Sequence, residues 1–222
     1  MWLRGARKAR GWTQVETASR LGVSQGYLSL LETGRRRVSP RLANSLRRFF
    51  DVPPTAVAPR EVGVTNPAVL AKKLASLGYE PLAYLERKTK ANPAEVLLEA
   101  LRRPQLESRL TEALPWVALT YPDLNWDWLV ERAKVHDVQN RLGYVLSLAR
   151  QLAEESPNPA LANTLREEER RLERSRLAEE GTLCQDAMTQ VERRWLKDNR
   201  PANAAHWNLL TNLRADDLPY AA

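Results

Sequence analysis

The chain has 222 residues, with 34 Lys and Arg against 27 Asp and Glu, two His and one Cys, giving a net charge of +7. That length leaves room for one large or two small domains with a substantial core. No apolar run approaches the roughly 20 residues of a membrane span. Cys184 alone excludes an internal disulfide framework and fits a reducing cytoplasm, and two His with one Cys leave little material for zinc ligation or Cys/His nucleophilic chemistry. Arg4, Arg7, Lys8 and Arg10 meet no apolar stretch, unlike a secretory signal. Ile is absent, and Leu, Ala, Arg and Glu, all good helix formers, dominate. Strands would want more β-branched residues, so an all-α protein is expected.

In chain order, Leu3 to Arg10 reads as a helix stopped by Gly11. Thr13, with Glu16 three residues on, forms a capping box for a second helix that ends at Leu21-Gly22. Ser24 caps a third helix through Glu32, stopping near Gly34. Arg35-Arg36-Arg37 makes a basic loop, and Ser39-Pro40 starts a fourth helix that should reach Phe50. Pro53-Pro54, Pro59 and Pro67 bracket a weakly periodic stretch, predicting a linker over 53–66 between domains at 1–52 and 67–222. Asn66-Pro67 and Asn92-Pro93 are further helix starts, and Pro104 should begin or kink another. Leu106, Leu110 and Leu114 recur at helical spacing. Val138, Leu142, Val145, Leu146, Ala149 and Leu152 form the cleanest apolar stripe. Residues 160–180 are strongly charged, with Glu167 and Arg171 spaced for an i,i+4 pair. A helix to Asn199 and another around 204–213 complete the chain.

Charge is unevenly placed. Residues 1–52 hold eleven basic side chains against Glu16, Glu32 and Asp51, a balance of +8, while the other 170 residues come to −1. A basic module on a neutral body points to a polyanion partner for the module alone.

Two helices joined by a short Gly-containing turn, the second capped by Ser24, make a helix-turn-helix, whose second helix enters the major groove. The run Leu3-Arg4, Arg7, Gly11-Trp12-Thr13-Gln14, Ala18, Leu21-Gly22-Val23-Ser24-Gln25-Gly26-Tyr27-Leu28-Ser29, Leu31-Glu32 and Gly34 resembles the phage-repressor-like (XRE, or Cro/CI-type) helix-turn-helix family. The resemblance covers about the first quarter of the chain. It implies a lambda-repressor-like DNA-binding domain in which Gln14 contacts a phosphate and Arg7 pairs with Glu32. Gln25 takes the leading base-reading position, where a Gln can bond adenine twice. Ser29 and Thr33 are further base-contact candidates, since Leu28 and Leu31 must point inward, and Arg35, Arg36 and Arg37 fall where the family meets phosphates. Gly26 and Leu30 stand where polar readers are common, and Thr17 stands where an apolar residue is usual.

Other constellations are set aside. His136-Asp137 spells part of a metal-dependent phosphohydrolase signature, but such a site needs more His than this chain holds, so no metal or cofactor is expected. No HExxH, phosphate-binding Gly loop or CxxC is present, and an enzyme is not expected. Trp116, Tyr121, Trp126 and Trp128 concentrate aromatics. Core packing is the favoured reading, with an exposed anchor for a protein partner as the other.

The expectation is a cytoplasmic, nucleoid-associated repressor that binds an operator in double-stranded DNA as a homodimer, with no membrane association. The alternative is the antitoxin of a toxin–antitoxin or phage-defence operon, whose helical domain neutralises a cognate toxin.

Overall fold

The computed structural model describes residues 2–61, 63–85, 90–156 and 159–221. They form two compact units, Met1–Arg60 and Glu61–Ala222.

The N-terminal unit contains α1 (Trp2–Ala9), α2 (Gln14–Leu21), α3 (Gln25–Glu32) and α4 (Pro40–Leu46). Leu3, Ala18, Leu21, Leu28, Leu31, Leu42 and Leu46 meet in one core with Val38, Ala43, Phe50 and Val52. Burying each large apolar side chain contributes about 1.5–3 kcal/mol. The fourth helix stops at Leu46, short of Phe50. The amides of Phe49 and Phe50 both turn back to the Leu46 carbonyl, at 2.9 and 2.8 Å, and each ring reaches Trp12 edge-on at 5.7 Å. Aromatic packing here takes precedence over another turn of helix. The Pro-rich stretch expected as linker also joins this unit at its start. Pro54 and Thr55 are buried, and Val38 exchanges backbone hydrogen bonds with Ala56 and Ala58, at 3.0 and 2.7 Å.

The second unit, the body, holds α5 (Pro67–Leu77), α6 (Pro93–Leu101), α7 (Ser108–Thr120), α8 (Trp126–Val135), α9 (Gln139–Glu155), α10 (Pro159–Glu173), α11 (Gln190–Asn199) and α12 (Ala202–His206). The stripe from Val138 marks α9, in which every residue from Leu142 to Ala149 is buried. A helix apolar on all sides belongs in the middle of a core, and α7, α8, α10 and α12 pack on α9. Behind them α6 is nearly as buried. Its Glu99 carboxylate accepts hydrogen bonds from the Thr65 amide at 3.1 Å, the Thr65 hydroxyl, Lys73 and Arg103. Thr65 is thus fixed to the body and is no part of a free linker.

Several sequence expectations are corrected. Pro104 lies in a turn before α7, and the proline within a helix is Pro115. Arg171 pairs with Glu168 and Asp127, both at 2.8 Å, and not with Glu167, because Glu168 faces inward on α10. Among the described residues the regular elements are helical but for β1 (Gly181–Thr182) and β2 (Leu209–Leu210), a parallel pair with Gly181 opposite Leu209 and Thr182 opposite Leu210. This pair replaces the second half of the last expected helix. No helix among the described residues is long and apolar enough to cross a membrane.

Candidate nucleic-acid interface

The interface candidates are set by two helix caps. Thr13 accepts from the Glu16 amide while Glu16 accepts from the Thr13 amide at 2.7 Å, closing the capping box that starts α2. Gly22 ends that helix at φ 67°, a left-handed conformation that a Cβ would strain. Ser24 then accepts from the Tyr27 amide to start α3. Leu28 and Leu31 anchor α3 in the core, leaving Gln25, Gly26 and Thr33 exposed and Ser29 and Leu30 half-buried. Gln25 therefore stands exposed at the leading end of the helix.

Beneath it runs a connected polar chain. Arg7 donates to Glu32 through Nε at 2.5 Å and Nη2 at 3.1 Å, and through Nη1 to the Trp12 carbonyl at 2.8 Å. Gln14 donates to the second oxygen of Glu32 at 2.9 Å, and its own carbonyl accepts from Gln25 at 3.5 Å. Burial opposes ionisation of Glu32, but hydrogen bonds from Arg7 and Gln14 outweigh it and hold the carboxyl below its ordinary value. The Arg7 guanidinium is raised chiefly by its bond to Glu32. The pair expected from the resemblance is present and internal. Gln14 serves two neighbours at once, a coupling that sequence spacing did not reveal.

The remaining candidates separate. Arg35 and Arg36 are exposed on the loop after α3 and have no side-chain partner among the described residues. Arg37 differs, donating to the buried Thr55 carbonyl at 2.8 Å. The Thr33 hydroxyl turns back to the Ser29 carbonyl at 2.8 Å. Thr17, the polar departure from the family pattern, is fully buried, and its hydroxyl is satisfied by the Thr13 carbonyl at 2.9 Å. Sequence reasoning missed two cations held on aromatic faces. Arg20 lies 4.3 Å over Trp12 and Arg10 lies 4.8 Å over Phe50. Aromatics following Gly11 and closing α4 were the available signal.

In the body, the four aromatic candidates belong to the core. Trp126 is 8% exposed and donates to the Pro122 carbonyl at 3.0 Å. Trp116, Tyr121 and Trp128 pack half-buried against the same cluster, with Trp116 5.2 Å from Tyr79 and the Tyr121 hydroxyl 2.6 Å from the Leu77 carbonyl. The Tyr121 hydroxyl and the Trp126 indole are thus used internally, while Trp116 and Trp128 are engaged by packing. His136 lies 2.7 Å from Glu61. Cys184 is buried, which pushes its thiol up to about 11, and its Sγ faces the Ala100 carbonyl at 3.6 Å.

Residues 3–57 match the family model described as helix-turn-helix. No curated protein and no solved structure matches the chain. The N-terminal quarter is a helix-turn-helix domain of the XRE, lambda-repressor-like type, and the domain marks a DNA-binding transcription regulator. The match runs to residue 57, past the buried Val52, Pro54 and Thr55.

Proposed function

We infer that this protein is a sequence-specific repressor of transcription. Two copies bind a two-fold-related operator in cytoplasmic double-stranded DNA, each placing α3 in a major groove about 34 Å from the other. The observation that carries the reading is the exposed Gln25 at the capped start of α3, joined through Gln14 to the internal Arg7–Glu32 pair. Such a chain holds the reading side chain in place before DNA arrives. The charge supports it too. Of the three acids in residues 1–52, Glu16 is taken up by its cap and Glu32 by Arg7, leaving the surrounding Arg and Lys largely uncompensated. Gln25, Ser29 and Thr33 face base edges, with Gln14, Arg35 and Arg36 on phosphates and Arg37 nearer its Thr55 tether. Repression follows from occupancy alone and asks no further chemistry of the chain. The body serves for dimerisation or partner binding. Of the aromatics considered for a toxin partner, Trp126 is buried and Trp116, Tyr121 and Trp128 are half-buried against the core, which favours the repressor reading over the antitoxin one.

Selection of duplexes from a randomised DNA pool by the full chain tests this. Enrichment of a site with two related half-sites, centred about ten base pairs or a multiple apart, is expected. A pool that stays random after several rounds overturns the reading.

A further inference from the structure

The large exposed apolar side chains of the body are scattered, except on α11. There Val191, 77% exposed, and Trp195, 55% exposed, stand one helical turn apart on the same face. Leu196 is the buried side chain of that helix. Beside the face runs a groove of about 480 Å³, lined by Gln105, Gln185, Met188, Val191, Trp195 and Leu196. A helix that only covers its domain needs no tryptophan and valine on the solvent side, where each forgoes the gain of burial.

The charges at the rim indicate what covers it. Arg194 and Asp198, one turn apart and both exposed, bracket Trp195 along the helix. They are spaced for an i,i+4 pair, yet neither has a partner among the described residues. Two α11 helices laid antiparallel across a two-fold axis near Leu196 would set each Arg194 against Asp198 of the other copy, with Trp195 of both copies beside that axis and Val191 about 7.5 Å along the helix from it. An isologous contact makes every such pair twice. Of the other charges on the helix, Glu192 is held by the Thr189 cap, Lys197 by Glu180 and Arg193 by the Asp186 carbonyl, which leaves one cation and one anion, a balance that suits its own copy better than a partner of one charge sign.

We propose that α11 is the homodimerisation face of this protein, with Trp195 as its anchor and the Arg194–Asp198 exchange as its register. The proposal rests on the DNA-binding reading only for its purpose, since a two-fold operator calls for a paired protein. Its test contains no DNA, so the two can fail separately. Sedimentation equilibrium of the full chain should show a monomer–dimer equilibrium, with Trp195→Glu raising the dissociation constant at least about tenfold, equivalent to 1.4 kcal/mol or more. Arg194→Asp should weaken pairing in the same direction, and Arg194→Asp with Asp198→Arg should restore it, because the swapped pair is complementary only to itself. Circular dichroism should be unchanged in the charge variants, whose side chains are exposed. A wild-type chain monomeric at 100 micromolar overturns the proposal. So does a dimer indifferent to Trp195→Glu, or a double swap no better than the single one.

Discussion

The six-membered ring of Trp207 occupies the place where a side chain on Gly143 would go. A Cβ built on Gly143 would lie 2.4 Å from Cη2 and Cζ3 and 2.5 Å from Cζ2 of the indole. Gly143 stands inside α9, past its first turn, where glycine costs about 1 kcal/mol relative to alanine, so close approach of the ring is the reason for it. Gly143→Ala should destabilise the body by about 1–3 kcal/mol through overpacking despite the better helix former. Urea denaturation reads this, and a stability equal to wild type would show that the indole can step aside.

Gln25→Ala should weaken binding to the selected operator far more than binding to random duplex, by about 1–3 kcal/mol of discrimination. The contact to Gln14 adds a second expectation. Gln14→Ala should also reduce discrimination, because it releases the Gln25 amide as well as any phosphate it holds. Competition binding at fixed salt measures both. Equal loss on the two DNAs would remove Gln25 from base reading.

The basic loop should behave as two cations and one brace. Replacing Arg35 and Arg36 by alanine should make the slope of log K against log salt shallower by about 2 units, each phosphate contact contributing about 0.9. Sequence preference should hardly move, since phosphates carry no base information. Arg37→Ala should leave the slope nearly unchanged and instead speed hydrogen exchange at the Val38 and Ala58 amides, whose pairing lies beside the Arg37–Thr55 bond. A full unit of slope lost with Arg37 would mean that it leaves Thr55 when DNA binds.

Acid should loosen the N-terminal unit through Glu32. Its folded-state carboxyl titrates below its ordinary value of 4.5, so its stabilisation is complete above that value and is lost as pH falls through the folded one. Protection factors of the α1 and α3 amides in the full chain, each referred to the unfolded-chain exchange rate at the same pH, should therefore fall below about pH 4.5. Arg7→Ala should bring the same loosening at neutral pH, at a cost of about 3–5 kcal/mol for a buried carboxylate left without its cation. Exchange that does not respond to Arg7→Ala would make the pair a bystander.

The four N-terminal helices were legible because their ends are written in local chemistry. Thr13, Ser24 and Ser39 cap, Gly22 takes a left-handed turn, and Pro40 opens α4. The end of α4 was not legible, because only the tertiary position of Trp12 explains why Phe49 and Phe50 fold back. Likewise Pro53-Pro54 looks like a linker until Val38 is seen pairing alongside. In the body, the stripe on α9 was plain, whereas β1 and β2 are two residues each and pair across 28 positions of chain, too short and too distant for any periodicity. At the candidate site, residue identities could be read from the resemblance. That Arg37 reaches Thr55 and Gln14 reaches Gln25 could not, since both depend on side-chain geometry across separate elements.

The body closes on itself late in the chain. The Tyr144 hydroxyl donates to the Leu213 carbonyl, 69 residues on, and the Tyr220 hydroxyl donates to the Glu112 carbonyl across 108 residues. The helices α1 to α4, by contrast, all lie in the compact unit Met1–Arg60. During synthesis at about 5–20 residues per second, the N-terminal unit can fold on the order of 10 s before the last strap of the body leaves the ribosome. Under the pairing proposed for α11, a nascent chain in that interval carries a finished reading head with nothing yet to pair it. The time at which a new copy becomes competent to hold an operator is then set by the closing of the body, and variants that slow this closure should delay repression without altering the affinity of the mature protein.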